Sequence, residues 1–197
     1  MNDIDFEIGA ELVLGPLLAA FCVLTAVRAA RRHPGWTGGH ALVRLAAAFY
    51  TAAVLSLTIF PVAITYGRYA NQTPWYEMVN FIPLLTVDLS FVPNVVMLVP
   101  LGFLIPLMSA PSSLKRIAGL AFLASLAIET AQLLSYLLFN NGRSVDVNDL
   151  IANTLGGVLG YLAFRLAARV PSLDALLRRL TLPAPAPAGS REEPAVL

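Results

Sequence analysis

Five long apolar stretches constrain this chain more than any other feature. They run from Ile8 to Val27, Ala41 to Tyr66, Leu89 to Met108, Ile117 to Phe139 and Leu150 to Ala168. Each approaches or exceeds the ~20 residues that an α-helix needs to cross a bilayer core. A water-facing surface cannot be built around them. Hydrophobic residues make up 57% of the 197 positions and charged residues only 13%, against about 25% charged in soluble domains. The same arithmetic excludes a disordered chain, a nucleic-acid binder and a disulfide scaffold: net charge is +1, there is no long basic run, and Cys22 stands alone. The expected fold class is all-α, an integral membrane bundle of about five transmembrane helices in contact with the lipid bilayer.

Orientation follows from lysine and arginine, which concentrate on the cytoplasmic side. The acidic leader MNDIDFE lacks the positive start of a signal peptide, so the first stretch reads as a retained helix. With the N-terminus outside and the C-terminus cytoplasmic, five crossings place Arg28, Arg31, Arg32, Arg44, Lys115, Arg116, Arg165, Arg169, Arg178, Arg179 and Arg191 inside. Only Arg68 and Arg143 fall outside. Folding the proline-rich third stretch (Pro93, Pro100, Pro106) into a re-entrant hairpin would strand most of the later basic residues outside, and the charge rule rejects it. Three regions result: 1–39, an extra helix and a basic cytoplasmic turn; 40–170, the main membrane domain; and 171–197, a cytoplasmic amphipathic segment (Ser172 to Leu180) followed by a Pro/Ala-rich disordered tail. Trp36, Trp75 and Tyr76 read as interfacial belt residues, and Arg44 as a side chain snorkelling to the cytoplasmic headgroups.

Polar residues inside the apolar stretches fall into two stripes. On the fifth stretch Asp149, Asn153, Gly156 and Gly160 recur at helical spacing, and on the fourth Ser125, Glu129, Gln132 and Tyr136 do the same. Asp146 is placed to cap the fifth helix, with Asp149 near the positive end of its dipole. Gly156, Gly157 and Gly160 read as helix-packing residues, since small-xxx-small patterns let backbones approach closely. The short segment from Asn140 to Asp149 makes the two helices antiparallel neighbours with both stripes turned inward. Glu129 then lies about 15 Å below the outer end of its helix, near the midplane. A charge there costs ~2.5–3.5 kcal/mol, so Glu129 is expected to be protonated, hydrogen-bonded to neighbours such as Asn153, or open to a wet cavity. Arg143 is the nearest cation in sequence, but its loop is shallow, which leaves Asp146 or Asp149 as nearer partners. No metal site is assigned, because Glu129, Asp146 and Asp149 have no histidine nearby; His33 and His40 fall on the cytoplasmic side. No cofactor fingerprint, phosphate loop or nucleophile–base pair is present.

Four motifs in order carry a family resemblance: NFIPL from Asn80; Asn94 followed by PLGFLIP (Pro100 to Pro106); IETAQLL (Ile128 to Leu134); and GRSVDVNDLIANTLGGVLGY (Gly142 to Tyr161). Over roughly residues 40–165 the chain closely resembles the VanZ-like membrane proteins. The resemblance implies a small multi-pass protein of the bacterial cytoplasmic membrane, in a family whose namesake is associated with teicoplanin resistance. The polar positions matching the family are Asn80, Asn94, Glu129, Gln132, Arg143, Asp146, Asp149 and Asn153. Asn148 stands where many relatives carry aspartate, and Val145 where many carry phenylalanine. The expected function is a cell-envelope accessory factor whose outward polar pocket, formed by these residues, binds a lipid-linked or lipoglycopeptide molecule. Two alternatives remain open: a membrane-embedded enzyme on lipid-linked cell-wall substrates, with Glu129 as the candidate catalytic base, and a small transporter subunit. A membrane-protein partner docking on the Gly156-x-x-x-Gly160 face is also compatible with the sequence.

Overall fold

A computed structural model describes residues 3–83, 91–109 and 112–183. It contains five long helices: α1 (Ala10–Ala30), α2 (Gly38–Thr58), α3 (Phe91–Met108), α4 (Leu114–Phe139) and α5 (Val147–Ala167). All five are long and apolar enough to cross a membrane. A short helix, α6 (Pro171–Leu180), follows α5. Among the described residues there are also two small strand pairs, β1 (Ile4–Ile8) with β2 (Val62–Tyr66) and β3 (Val79–Asn80) with β4 (Val145–Asp146).

The strands correct the sequence reading at two helix ends. The second apolar stretch does not stay helical to Tyr66. It leaves the helix after Thr58, passes a cis Phe60–Pro61 bond and continues extended as β2. Proline cannot donate to the helix ladder, and the β-branched Val62, Ile64 and Thr65 suit a strand. The first stretch is helical from Ala10 and not from Ile8, which ends β1 (Ile4–Ile8), pairing antiparallel with β2 from Ile4↔Tyr66 to Ile8↔Val62. This ribbon ties the start of α1 to the end of α2. From Phe91 to Met108 the third stretch is one helix with Pro100 and Pro106 inside it, not a hairpin. Beside the turn that Pro100 disturbs, the Tyr50 hydroxyl on α2 donates to the Met97 carbonyl at 2.9 Å.

Glycine builds the tightest interface. A Cβ on Gly156 would lie 2.1 Å from the Val95 carbonyl oxygen, and one on Gly160 would lie 1.9 Å from that of Val99. Reciprocally, a Cβ on Gly102 would sit 1.8 Å from the Gly157 oxygen. Residue numbers rise together along this seam, so α3 and α5 run parallel with their backbones in contact. Gly157 faces the other way, 2.4 Å from the Ala121 Cβ of α4 if it carried a Cβ. The Gly156-x-x-x-Gly160 face is therefore covered by α3 and is closed to a partner protein.

One end of the bundle, here called the strand end, gathers both strand pairs, the starts of α1, α3 and α5, and the finishes of α2 and α4. The opposite, basic end carries Arg28, Arg31, Arg32, Arg44, Lys115, Arg116, Arg165, Arg169, Arg178 and Arg179. There α6 folds back so that Leu177 packs with Val43 of α2 and Leu107 of α3, and the Leu182 amide donates to the Leu107 carbonyl at 2.7 Å. The tail expected beyond this point lies outside the described residues from 184 onward.

Candidate functional site

The polar side chains converge at the strand end, and the loop before α5 explains how. Although Gly142 and Ser144 stay exposed, residues 140–146 are more than a turn across the bundle end. They descend alongside the last turns of α4, and Asp146 reaches the level of Glu129, ten residues before the α4 terminus; at ~1.5 Å per residue this is about 15 Å of descent. On the way, β4 pairs in parallel with β3, matching Asn80 to Asp146. Irregular backbone inside a bundle needs protein or a polar cavity beside it, and here β4 lies against α4 and pairs with β3.

Glu129 is 3% exposed. Its Oε2 accepts from the Asp146 backbone N–H at 3.1 Å. The sequence points to Asp146 or Asp149 as a partner; the group that reaches Glu129 is the Asp146 backbone amide. The Asp146 carboxylate serves elsewhere: Oδ1 caps α5 by accepting from the Asn148 amide at 2.8 Å and also accepts from Asn80 Nδ2 at 3.0 Å. One carboxylate oxygen thus fixes both the helix start and the NFIPL segment. Asn80 Oδ1 in turn accepts from the Ile82 amide at 3.1 Å.

The second carboxylate of the row, Asp149, accepts from Asn94 Nδ2, which links the first turns of α3 and α5. Below it, the Ser125 hydroxyl faces the Asp149 carbonyl at 3.4 Å and accepts from Asn153 Nδ2 at 2.9 Å. Asn153 is 1% exposed, and among the described residues its Oδ1 has no hydrogen-bond partner. A buried acceptor without a donor costs roughly 1–3 kcal/mol. It marks a position where a donor group would be bound favourably. Asn153 therefore bonds Ser125 rather than Glu129.

Of the eight positions expected to form the pocket, six meet in this cluster: Asn80, Asn94, Glu129, Asp146, Asp149 and Asn153. Gln132 and Arg143 turn away to the end of α2. Gln132 Nε2 donates to the Thr58 carbonyl at 3.0 Å, and Arg143 Nη2 donates to the carbonyls of Ile59, Phe60 and Pro61 at 3.2, 3.0 and 3.3 Å. The last carbonyls of a helix have no partner in the ladder, so this pair caps α2 where proline has stopped it. Tyr136, also on the expected stripe, donates to the Thr73 carbonyl. Asn141, which sequence reasoning passed over, is buried and bonds the Ala63 carbonyl and Ser135 Oγ at 3.2 and 2.7 Å. The Asn140–Asn141–Gly142 turn signal after α4 was available to find it; Asn140 takes the left-handed conformation at φ 50°.

At ~1.5 Å per residue α4 spans about 39 Å, with Glu129 about 22 Å from Leu114 and about 15 Å from Phe139. Among the described residues no three histidine, cysteine or acidic side chains converge to hold a metal ion.

A five-helix membrane bundle, closed along its α3–α5 seam by glycine and carrying a buried amide–carboxylate cluster at one end, defines a class of polytopic membrane protein. The VanZ/LLP1 family model matches residues 47–168, most of the chain and all six clustered positions. The chain belongs to this family. Comparison with curated proteins and with solved structures returned no match.

Proposed function

We propose that the strand end faces the cell exterior and that its cluster binds the polar part of an amphipathic envelope molecule, making the chain a bacterial cell-envelope accessory factor of the cytoplasmic membrane. The unpartnered, buried Asn153 Oδ1 beside the buried Glu129 carries the reading. Together with the carboxylates of Asp146 and Asp149 it gives the bundle an excess of acceptors over donors. A ligand rich in hydroxyl or amide N–H groups, such as a sugar or a peptide on a lipid anchor, complements that excess. Charge supports the orientation: of the basic residues among those described, only Arg68 and Arg143 lie at the strand end, and basic residues favour the cytoplasmic side. By occupying such molecules, the protein would lower the access of lipoglycopeptides such as teicoplanin to the cell surface.

The test is antibiotic susceptibility at matched expression for wild type, Glu129→Gln and Asp149→Asn. Protection by the wild type and its loss in both variants is the expected result. A wild type that gives no protection, or variants that protect equally well, would overturn the reading.

A further inference from the structure

At the basic end the α1–α2 turn brings two guanidinium groups onto one indole. Arg28 Cζ lies 4.5 Å and Arg44 Cζ 4.3 Å from the Trp36 ring centroid. Their separation cannot exceed the sum of those distances, about one Debye length (~8 Å) at physiological salt, so the two cations repel with only partial screening. Arg44 is half-buried and held by its Nε donating to the Gly35 carbonyl at 2.9 Å. Among the described residues neither cation has a carboxylate in ion-pair contact; Arg68–Asp3 and Arg178–Asp174 are the pairs formed. Stacking on tryptophan offsets part of the repulsion but leaves the charge uncompensated.

Arg44 sits at the head of an apolar crevice of about 450 Å³, with Arg28 beside it on the Trp36 ring. Arg44 itself lines it, with Phe21, Ala48, Ala52, Leu55 and Met108. The Trp36 ring packs on Phe21 at 6.2 Å between centroids, so the charged head and the apolar furrow are continuous. From Arg44 to Leu55 the furrow follows α2 for about 16 Å, close to the ~15 Å depth of one leaflet. Small side chains at Ala48 and Ala52 leave the furrow open.

We propose that the furrow holds a hydrocarbon chain of an anionic phospholipid whose phosphate rests against Arg28 and Arg44. The phosphate removes the repulsion between the two cations, and the chain fills the space that the alanines leave. The site is independent of the strand-end cluster.

The test uses Trp36 as reporter. Trp75→Phe leaves it the single tryptophan of a chain that has 2. The protein is reconstituted in phosphatidylcholine bilayers containing brominated phosphatidylglycerol or brominated phosphatidylcholine at equal mole fractions. Quenching by phosphatidylglycerol should show an apparent association constant about tenfold above that for phosphatidylcholine. Arg28→Gln, which alters an exposed side chain, should reduce that preference several-fold, while Arg28→Lys should keep it. Ala48→Phe with Ala52→Phe, which fills the furrow and leaves both cations, should weaken quenching by either lipid. Equal quenching by the two lipids overturns the proposal, as does a preference that survives Arg28→Gln. Quenching indifferent to the filled furrow, the result if lipid only surrounds the bundle or a second copy covers this face, overturns it as well.

Discussion

Gly160→Ala is the sharpest perturbation of the fold. The added Cβ would lie 1.9 Å from the Val99 carbonyl oxygen and 3.1 Å from the Phe103 amide nitrogen. Ordinary contact needs well over 3 Å, and both obstacles are backbone inside a helix, so no side chain can swing aside. The helices must part by more than 1 Å along a seam where Gly102, Gly156 and Gly160 all meet backbone. A gap of ~0.5–1 Å already forfeits a quarter to a half of each dispersion contact across it. Overpacking of this kind costs typically 1–3 kcal/mol, and the rigid obstacle puts Gly160→Ala near about 3 kcal/mol. Gly156→Ala, with its Cβ 2.1 Å from the Val95 oxygen, should cost about as much. The double variant should cost less than the sum, because one separation of the helices relieves both clashes. Gly119→Ala is the control: it lies in α4 with nothing within 4 Å of a Cβ, and helix propensity favours alanine there by up to about 1 kcal/mol. Unfolding in mixed detergent micelles by titration with dodecyl sulfate measures all four. Equal stability of Gly160→Ala and Gly119→Ala would refute the backbone-contact reasoning.

Other substitutions report on the strand end. Glu129→Leu leaves the Asp146 amide without its acceptor inside the bundle and should destabilise by about 1–3 kcal/mol in the same titration, whereas Glu129→Gln, which keeps a side-chain oxygen, should cost less. Asp146→Ala removes the α5 cap and the Asn80 contact together, and a loss of about 1–2 kcal/mol is expected. Arg143→Ala frees three carbonyls beyond α2 and should cost about 1.5–3 kcal/mol, with faster proteolysis near Pro61 as a second readout. Tyr50→Phe removes one hydrogen bond to Met97 and should cost about 1 kcal/mol without affecting the strand-end cluster.

The helices were legible because long apolar runs have few other solutions, and the Asp146 cap because a short acceptor before an apolar periodic run has a local cause. The glycine triplet on α5 was visible as a small-residue pattern, although its partner, α3, was not, since periodicity names a face and not its neighbour. The β1–β2 ribbon was missed: β1 is mostly exposed and acidic, and its pairing with β2 spans almost sixty residues, a contact that no local pattern encodes. The same holds for Gln132 and Arg143. Helical spacing puts Gln132 with Glu129, and nearness in sequence and the family resemblance put Arg143 at the same pocket, but the carbonyls left where Pro61 ends α2 drew both away. Glu129 was recognised as a buried polar residue from its cost in an apolar helix; its true partner, a backbone amide, has no side-chain signal. The Arg28–Trp36–Arg44 stack was readable only as an interfacial turn, because the two arginines are on different helices.

The orientation of the bundle underlies the reading of the strand end and can be measured in one experiment. With Cys22→Ser as background, Ser144→Cys and Ser172→Cys each place a thiol at an exposed position, one on the descending loop and one at the start of α6. Intact cells are treated with a membrane-impermeant maleimide. Labelling at 144 and none at 172 until the cells are lysed is the expected result. Labelling at 172 in intact cells with 144 protected would contradict it and place the polar cluster on the cytoplasmic side.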